Sequence, residues 1–100
     1  MARLDVHPMP GKSDGYVVDV QADLLSHLST RAVVPLLSKE AAPKPISELN
    51  PVFEIRDQPY VLLTQAIVSI PRRELKRAVA SVAEHHDSIT RALDLLLVGF

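Results

Sequence analysis

The chain has 100 residues, 47% of them hydrophobic, with a net charge of −1 and no cysteine. That length supports one domain with its own core, and the missing cysteines exclude disulfides, thiolate metal sites and cysteine nucleophiles. Near-neutral charge argues against direct nucleic-acid binding, which usually shows as a basic excess; two Tyr, two Phe and no Trp leave little for base stacking.

The first residues, Met1 to Asp5, alternate without an apolar h-region, so no secretory signal is expected. No apolar run nears the ~20 residues of a membrane span. A cytoplasmic chain without membrane association is the expectation. Arg3-Leu4-Asp5-Val6-His7 alternates at period two, predicting a strand with Leu4 and Val6 inside and the charged residues outside. Pro8 to Gly15 is rich in turn formers, and Tyr16 to Gln21 returns as a β-branched strand. The two form a hairpin with a long exposed tip.

Ala22 to Thr30 is irregular, with Leu24-Leu25 as an apolar knob between Asp23 and Ser26. Arg31 to Leu37 predicts a third strand, and Pro35, which cannot donate to a ladder, predicts a sheet edge or bulge there. Ser38 to Asn50 suits a surface excursion. Pro51 to Ile55 and Gln58 to Leu63 predict a second hairpin around Arg56-Asp57, and Ala66 to Ile70 is a short apolar run ended by Pro71.

After Pro71 the apolar spacing changes to three and four. Residues 72–83 are expected to be short-helical or irregular, followed by a firm helix from about 85 to 98. Asp87 or Ser88 is the expected N-cap, and Gly99 stands where a C-cap glycine belongs. The fold class is α+β, mainly β: a small antiparallel sheet or barrel with one C-terminal helix.

Chemistry-bearing motifs are sparse. His85 and His86 are adjacent, so on a helix they point about 100° apart and cannot ligate one ion from one face; no metal or cofactor is expected. Arg72-Arg73-Glu74-Leu75-Lys76-Arg77 is the only basic cluster, either a solvated face or a dock for phosphates or an acidic partner. Asp19 interrupts an apolar strand and needs donors if it faces inward, with Arg31 as one possible partner. No catalytic residue is assigned, and no nucleophile elbow or glycine-rich phosphate loop is present. The final stretch, Ala92 to Phe100, is different: periodicity places two or more of Leu93, Leu96 and Leu97 in the core. The apolar run nevertheless continues through Val98 to Phe100, as in a homodimer seam or a target-insertion tip.

Several blocks together resemble the CcdB family, gyrase-poisoning toxins of type II toxin–antitoxin modules. They are Val18 to Leu25, Val33-Val34-Pro35-Leu36, Asn50-Pro51-Val52, Ser69-Ile70-Pro71 and Ile89 to Phe100. The resemblance covers residues 1–100 as a single toxin domain, and implies an SH3-like barrel with a C-terminal helix. It further implies a non-enzymatic homodimer whose C-terminal tips bind the DNA gyrase A subunit and trap the cleaved-DNA complex. A cognate antitoxin neutralises such a toxin; a disordered segment that folds on binding is expected, touching Pro8 to Gly15, Leu24-Leu25 and the helix end.

By position, the target-binding residues implied are Leu24, Leu25, Asp94, Leu97, Val98, Gly99 and Phe100. Four of them depart from the family pattern, Phe100 by standing where the family ends on an aliphatic residue. Val98 stands in place of a tryptophan that stacks on an arginine of gyrase, Asp94 in place of an uncharged amide, and Leu97 in place of a bulky aromatic. Two alternatives accompany this reading. One is a barrel-type toxin ribonuclease using Asp19, Arg31 or the Arg72 to Arg77 cluster; the other is a non-toxic homologue that retains only antitoxin binding.

Overall fold

A nine-residue strand, β3 (Thr30–Ser38), is the element to which most of the sheet attaches. The computed structural model describes residues 2–11 and 14–100. On one side β3 pairs antiparallel with β2 (Tyr16–Asp19), which pairs with β1 (Asp5–Pro8). On its other side it serves two strands in succession, β6 (Val68–Pro71) along Thr30 to Val33 and β5 (Gln58–Leu62) along Leu36 to Ser38. β4 (Val52–Ile55) lies beyond β5, and β7 (Ala80–Ser81) beyond β1. The antiparallel sheet curls into a nearly closed barrel, and the helix α1 (His86–Leu97) packs its Ile89 into the core.

The core face follows the period-two alternation of the strands. Val6, Val18, Val34 and Leu36 lie on it with Phe53, Ile55 and Leu62. Burial of one such aliphatic side chain contributes about 1.5–3 kcal/mol. The opposite face of β1, β2 and β3 is buried as well. His7 lies opposite Val17, and Asp19 opposite Val33, with Arg31 two residues along the same face. All five are buried.

That second layer corrects one sequence expectation. His7 does not point to solvent, because residues 72–79 cross over it and the Lys76 carbonyl accepts from its Nδ1 at 2.7 Å. The first strand also begins later than the alternation suggests. Leu4 has φ of 70° and stands outside the strand. Its N–H donates to the Asp19 carbonyl at 2.6 Å, and its carbonyl accepts from Val82 at 2.9 Å. A left-handed non-glycine residue costs roughly 1–2 kcal/mol, which burial of the Leu4 side chain offsets.

Pro35 is neither at an edge nor in a bulge. It pairs with Val17 inside the central strand. Its carbonyl accepts from Leu63 at 2.9 Å, so its missing N–H faces the gap where β6 has ended and β5 has not begun. The hairpin between β1 and β2 forms as expected; Lys12 and Ser13 at its tip lie outside the described residues. Residues 72–83 contain one 3-10 turn, Arg72–Glu74, and the two-residue strand β7, which no periodicity signals; a second 3-10 turn begins at Ala83. α1 has no side-chain cap: the turn Ala83–His85 feeds straight into it, so Asp87 and Ser88 fall inside the helix. Asp87 still places a negative charge in the first turn, where the helix dipole favours it.

Candidate protein-binding surface

The C-terminal tip is a capped helix end that displays apolar side chains to solvent. Along α1, Ile89 and Ala92 are buried and Leu93 packs on the core, while the helix rests on the turn Thr64–Ala66. At the very end of the chain the apolar residues lose that cover. Leu97 is 70% exposed, Val98 60% and Phe100 87%, and Asp94 is exposed on the same helix. Thus Leu93 and Leu96 are partly buried, whereas Leu97 is not core. Gly99 ends the helix with φ of 93°, its N–H donating to the Leu95 and Asp94 carbonyls at 3.1 and 3.0 Å. This left-handed C-cap needs glycine, because a Cβ there would be strained. The cap fixes the direction in which Phe100 leaves the helix.

The knob is a second exposed apolar feature. Leu24 is 87% exposed, and Leu25 and Leu28 are also exposed. No residue of 22–30 is buried, so hydrogen bonds rather than packing hold this loop. The Asp23 carboxylate accepts the Arg3 N–H at 2.9 Å. The Gln21 side chain accepts from the Ala32 N–H at 3.0 Å and donates to the Leu25 carbonyl at 2.9 Å. The Arg72 guanidinium donates to the Ser26 carbonyl at 2.9 Å, and its backbone N–H to Ser29 at 2.7 Å. Among the described residues no hydrogen bond joins this loop to α1, so knob and tip hang from separate anchors. Arg72 carries no sequence signal for this role, since Ser26 and Ser29 lie far along the chain, and Gln21, although close to Leu25 in sequence, meets only backbone groups.

Beneath the knob, Asp19 and Arg31 form a buried ion pair. Arg31 donates Nε–H to the Asp19 Oδ2 at 3.0 Å and a second N–H to the same oxygen; Oδ1 accepts the Gln21 N–H at 3.1 Å. Both side chains are sealed from solvent, so neither can reach a bound RNA. Asp19 thus faces inward, and Arg31, the partner the sequence suggested, supplies its donors.

The histidines diverge as their adjacency requires. His85 stacks on Phe53 with ring centroids 4.5 Å apart, whereas His86 points outward. Among the described residues no three metal-ligating side chains converge. A cavity of about 150 Å³ lies between Asp14, Leu37, Ala41 and Tyr60, away from knob and tip. Among the described residues no helix is long and apolar enough to cross a membrane.

Comparison with known proteins adds to this geometry. The chain is similar to the Mycobacterium tuberculosis toxin MazF-mt6, with 15% identity over 92% of this chain and 94% of that one, at a TM-score of 0.75. It is also similar to an endoribonuclease in complex with its cognate antitoxin from a Mycobacterial species, with 18% identity over 97% and 94% and a TM-score of 0.77. A third structure, described as an Mtb toxin, matches at 15% identity over 93% and 99%, with a TM-score of 0.74. At such identities the likeness establishes a shared fold and nothing finer. The family model described as CcdB protein matches residues 3–99, nearly the whole chain. The chain therefore belongs to the CcdB family, toxin components of type II toxin–antitoxin systems.

Proposed function

We propose that this protein is a non-enzymatic toxin that acts as a homodimer by binding the DNA gyrase A subunit and trapping its cleaved-DNA complex. A cognate antitoxin neutralises it. The observation that carries the reading is the tip: a capped helix end where Leu97, Val98 and Phe100 stay exposed although the core lies one turn away. An apolar surface held in place costs solubility and is retained where a partner covers it. Asp94 on the same helix and Leu24-Leu25 on the separately anchored loop complete the target-binding set. Burial of Asp19 against Arg31 removes the acid and one cation that a ribonuclease reading would have used.

Overexpression in a sensitive bacterium, with assay for trapped gyrase–DNA complexes, tests this. Complexes that disappear when Val98-Gly99-Phe100 is deleted are the expected result. Toxicity without such complexes, or poisoning that survives the deletion, overturns the gyrase assignment. Harmless overexpression combined with tight binding to an antitoxin from a neighbouring gene supports a homologue that has kept only antitoxin binding.

A further inference from the structure

We infer that the knob and the basic segment after Pro71 form one composite surface that binds an acidic, leucine-bearing peptide segment. The two features are far apart in sequence, but Arg72 joins them. Its guanidinium holds the Ser26 carbonyl and its backbone N–H holds Ser29, so residues 72–77 leave directly from the edge of the leucine loop. Arg73, Lys76 and Arg77 are exposed, and among the described residues none has an ion-pair partner. Glu74 is the one acid within that segment, and Asp23 on the loop already accepts the Arg3 N–H.

Exposed leucines, with a basic segment running on from the edge of their loop, select the partner's chemistry. Leu24, Leu25 and Leu28 supply area that aliphatic side chains would cover. The three free cations then favour carboxylates flanking those side chains, steering encounter and setting register. A nucleic acid would meet the charges but gain nothing from the leucines. Residues 21–30 and 72–79 contain no Phe, Tyr or Trp on which a base could stack. An amphipathic segment with leucines on one side and Asp or Glu on the other satisfies both halves. This inference rests on the knob being a binding surface; it does not depend on the C-terminal tip or on gyrase.

The test is titration of isotope-labelled protein, followed by its backbone amide resonances, with a synthetic peptide of about 20 residues carrying Leu and Glu at helical spacing. Two controls are a peptide of equal charge with every Leu changed to Ser, and single-stranded DNA of similar length. Shifts concentrated in residues 22–30 and 72–79 are expected, with at least about tenfold weaker binding of the serine peptide. Arg73→Glu with Arg77→Glu should weaken the leucine peptide about tenfold and flatten its salt dependence. Leu28→Ser should weaken it severalfold. Since these side chains are exposed, the thermal midpoint should not move, and Arg73→Gln with Arg77→Gln serves if the reversal variant folds poorly. Shifts elsewhere, equal binding of the serine peptide, or indifference to both substitutions overturns the proposal. Tighter binding of DNA than of the leucine peptide at equal ionic strength also overturns it and assigns the patch to nucleic acid. A chain lacking Val98-Gly99-Phe100 should bind the peptide undiminished, which separates failure here from failure of the tip's assigned role.

Discussion

The Arg31 guanidinium donates twice to one oxygen of Asp19, and neither side chain is more than 1% exposed. The other Asp19 oxygen accepts the Gln21 N–H, so the pair secures the end of β2 and, through Gln21, the Leu25 carbonyl. Removing one partner would leave a buried, uncompensated charge. Arg31→Ala or Asp19→Ala should cost about 3–5 kcal/mol, read by urea denaturation. Replacing both by aliphatic residues of similar volume should recover most of that loss. A single-variant cost below about 1 kcal/mol would mean the orphaned charge reaches water.

The turn joining β4 and β5 places Arg56 and Asp57 at φ of 52° and 66°. Ile55 pairs with Gln58 directly across it, which makes a two-residue hairpin loop with both central residues left-handed. Asn-Gly suits that geometry and Arg-Asp does not. Arg56→Asn with Asp57→Gly should therefore raise unfolding free energy by about 1 kcal/mol, measured in denaturant. Unchanged or lower stability would show that the Arg56 and Asp57 side chains compensate the strain.

If the tip binds the gyrase A subunit as proposed, Val98→Trp should strengthen that binding. An indole at the exposed tip adds a π-face worth about 0.5–2 kcal/mol against an arginine, or roughly twofold to thirtyfold in affinity. Calorimetric titration against the purified subunit reads the change. Because Val98 is largely exposed, the thermal midpoint should stay within a degree or two of the parent's. Unchanged affinity would place the Val98 side chain outside the contact, and weaker binding would mean that an indole does not fit there.

Tyr60 stacks edge-on with Tyr16, ring centroids 5.1 Å apart. Burial pushes its phenol above the usual value of 10.0, and the neighbouring Tyr16, Asp14 and Glu40 raise it further. A pKa raised by folding means the folded state holds its proton more tightly. That contribution is intact below the unfolded-state pKa and is lost as pH rises through the folded one. Stability should accordingly fall above about pH 10, and Tyr60→Phe should reduce the slope of that decline. An equally steep decline in the variant would assign the alkaline loss to other groups.

Much of the fold was legible because it is local. The two hairpins follow from alternation and turn residues, and the helix from apolar spacing that ends at Gly99. What escaped depends on partners distant in the chain. Nothing around His7 announces that Lys76 will cover it, and two residues such as Ala80-Ser81 cannot display a period. Pro35 reads as an edge residue unless β3 is known to change partners beside it. At the surface, the exposure of Val98 and Phe100 was readable from an apolar run too long for one helix face. The dependence of the knob on Gln21 and Arg72 was not, since both bonds end on backbone carbonyls that any sequence would supply.

The divided pairing of β3 also guards against assembly errors. A one-residue slip would exchange its two faces, carrying Arg31 toward the main core and Val34 and Leu36 away from it. The same slip would turn Pro35 from its gap toward β2, where a ladder donor is required and proline has none. Since β2, β5 and β6 all take their positions from this strand, the mistake would be penalised along three seams at once. Pro35 thus works as a locating pin: it gives the sheet no bond from its nitrogen, but it makes the neighbouring alignment the costly one.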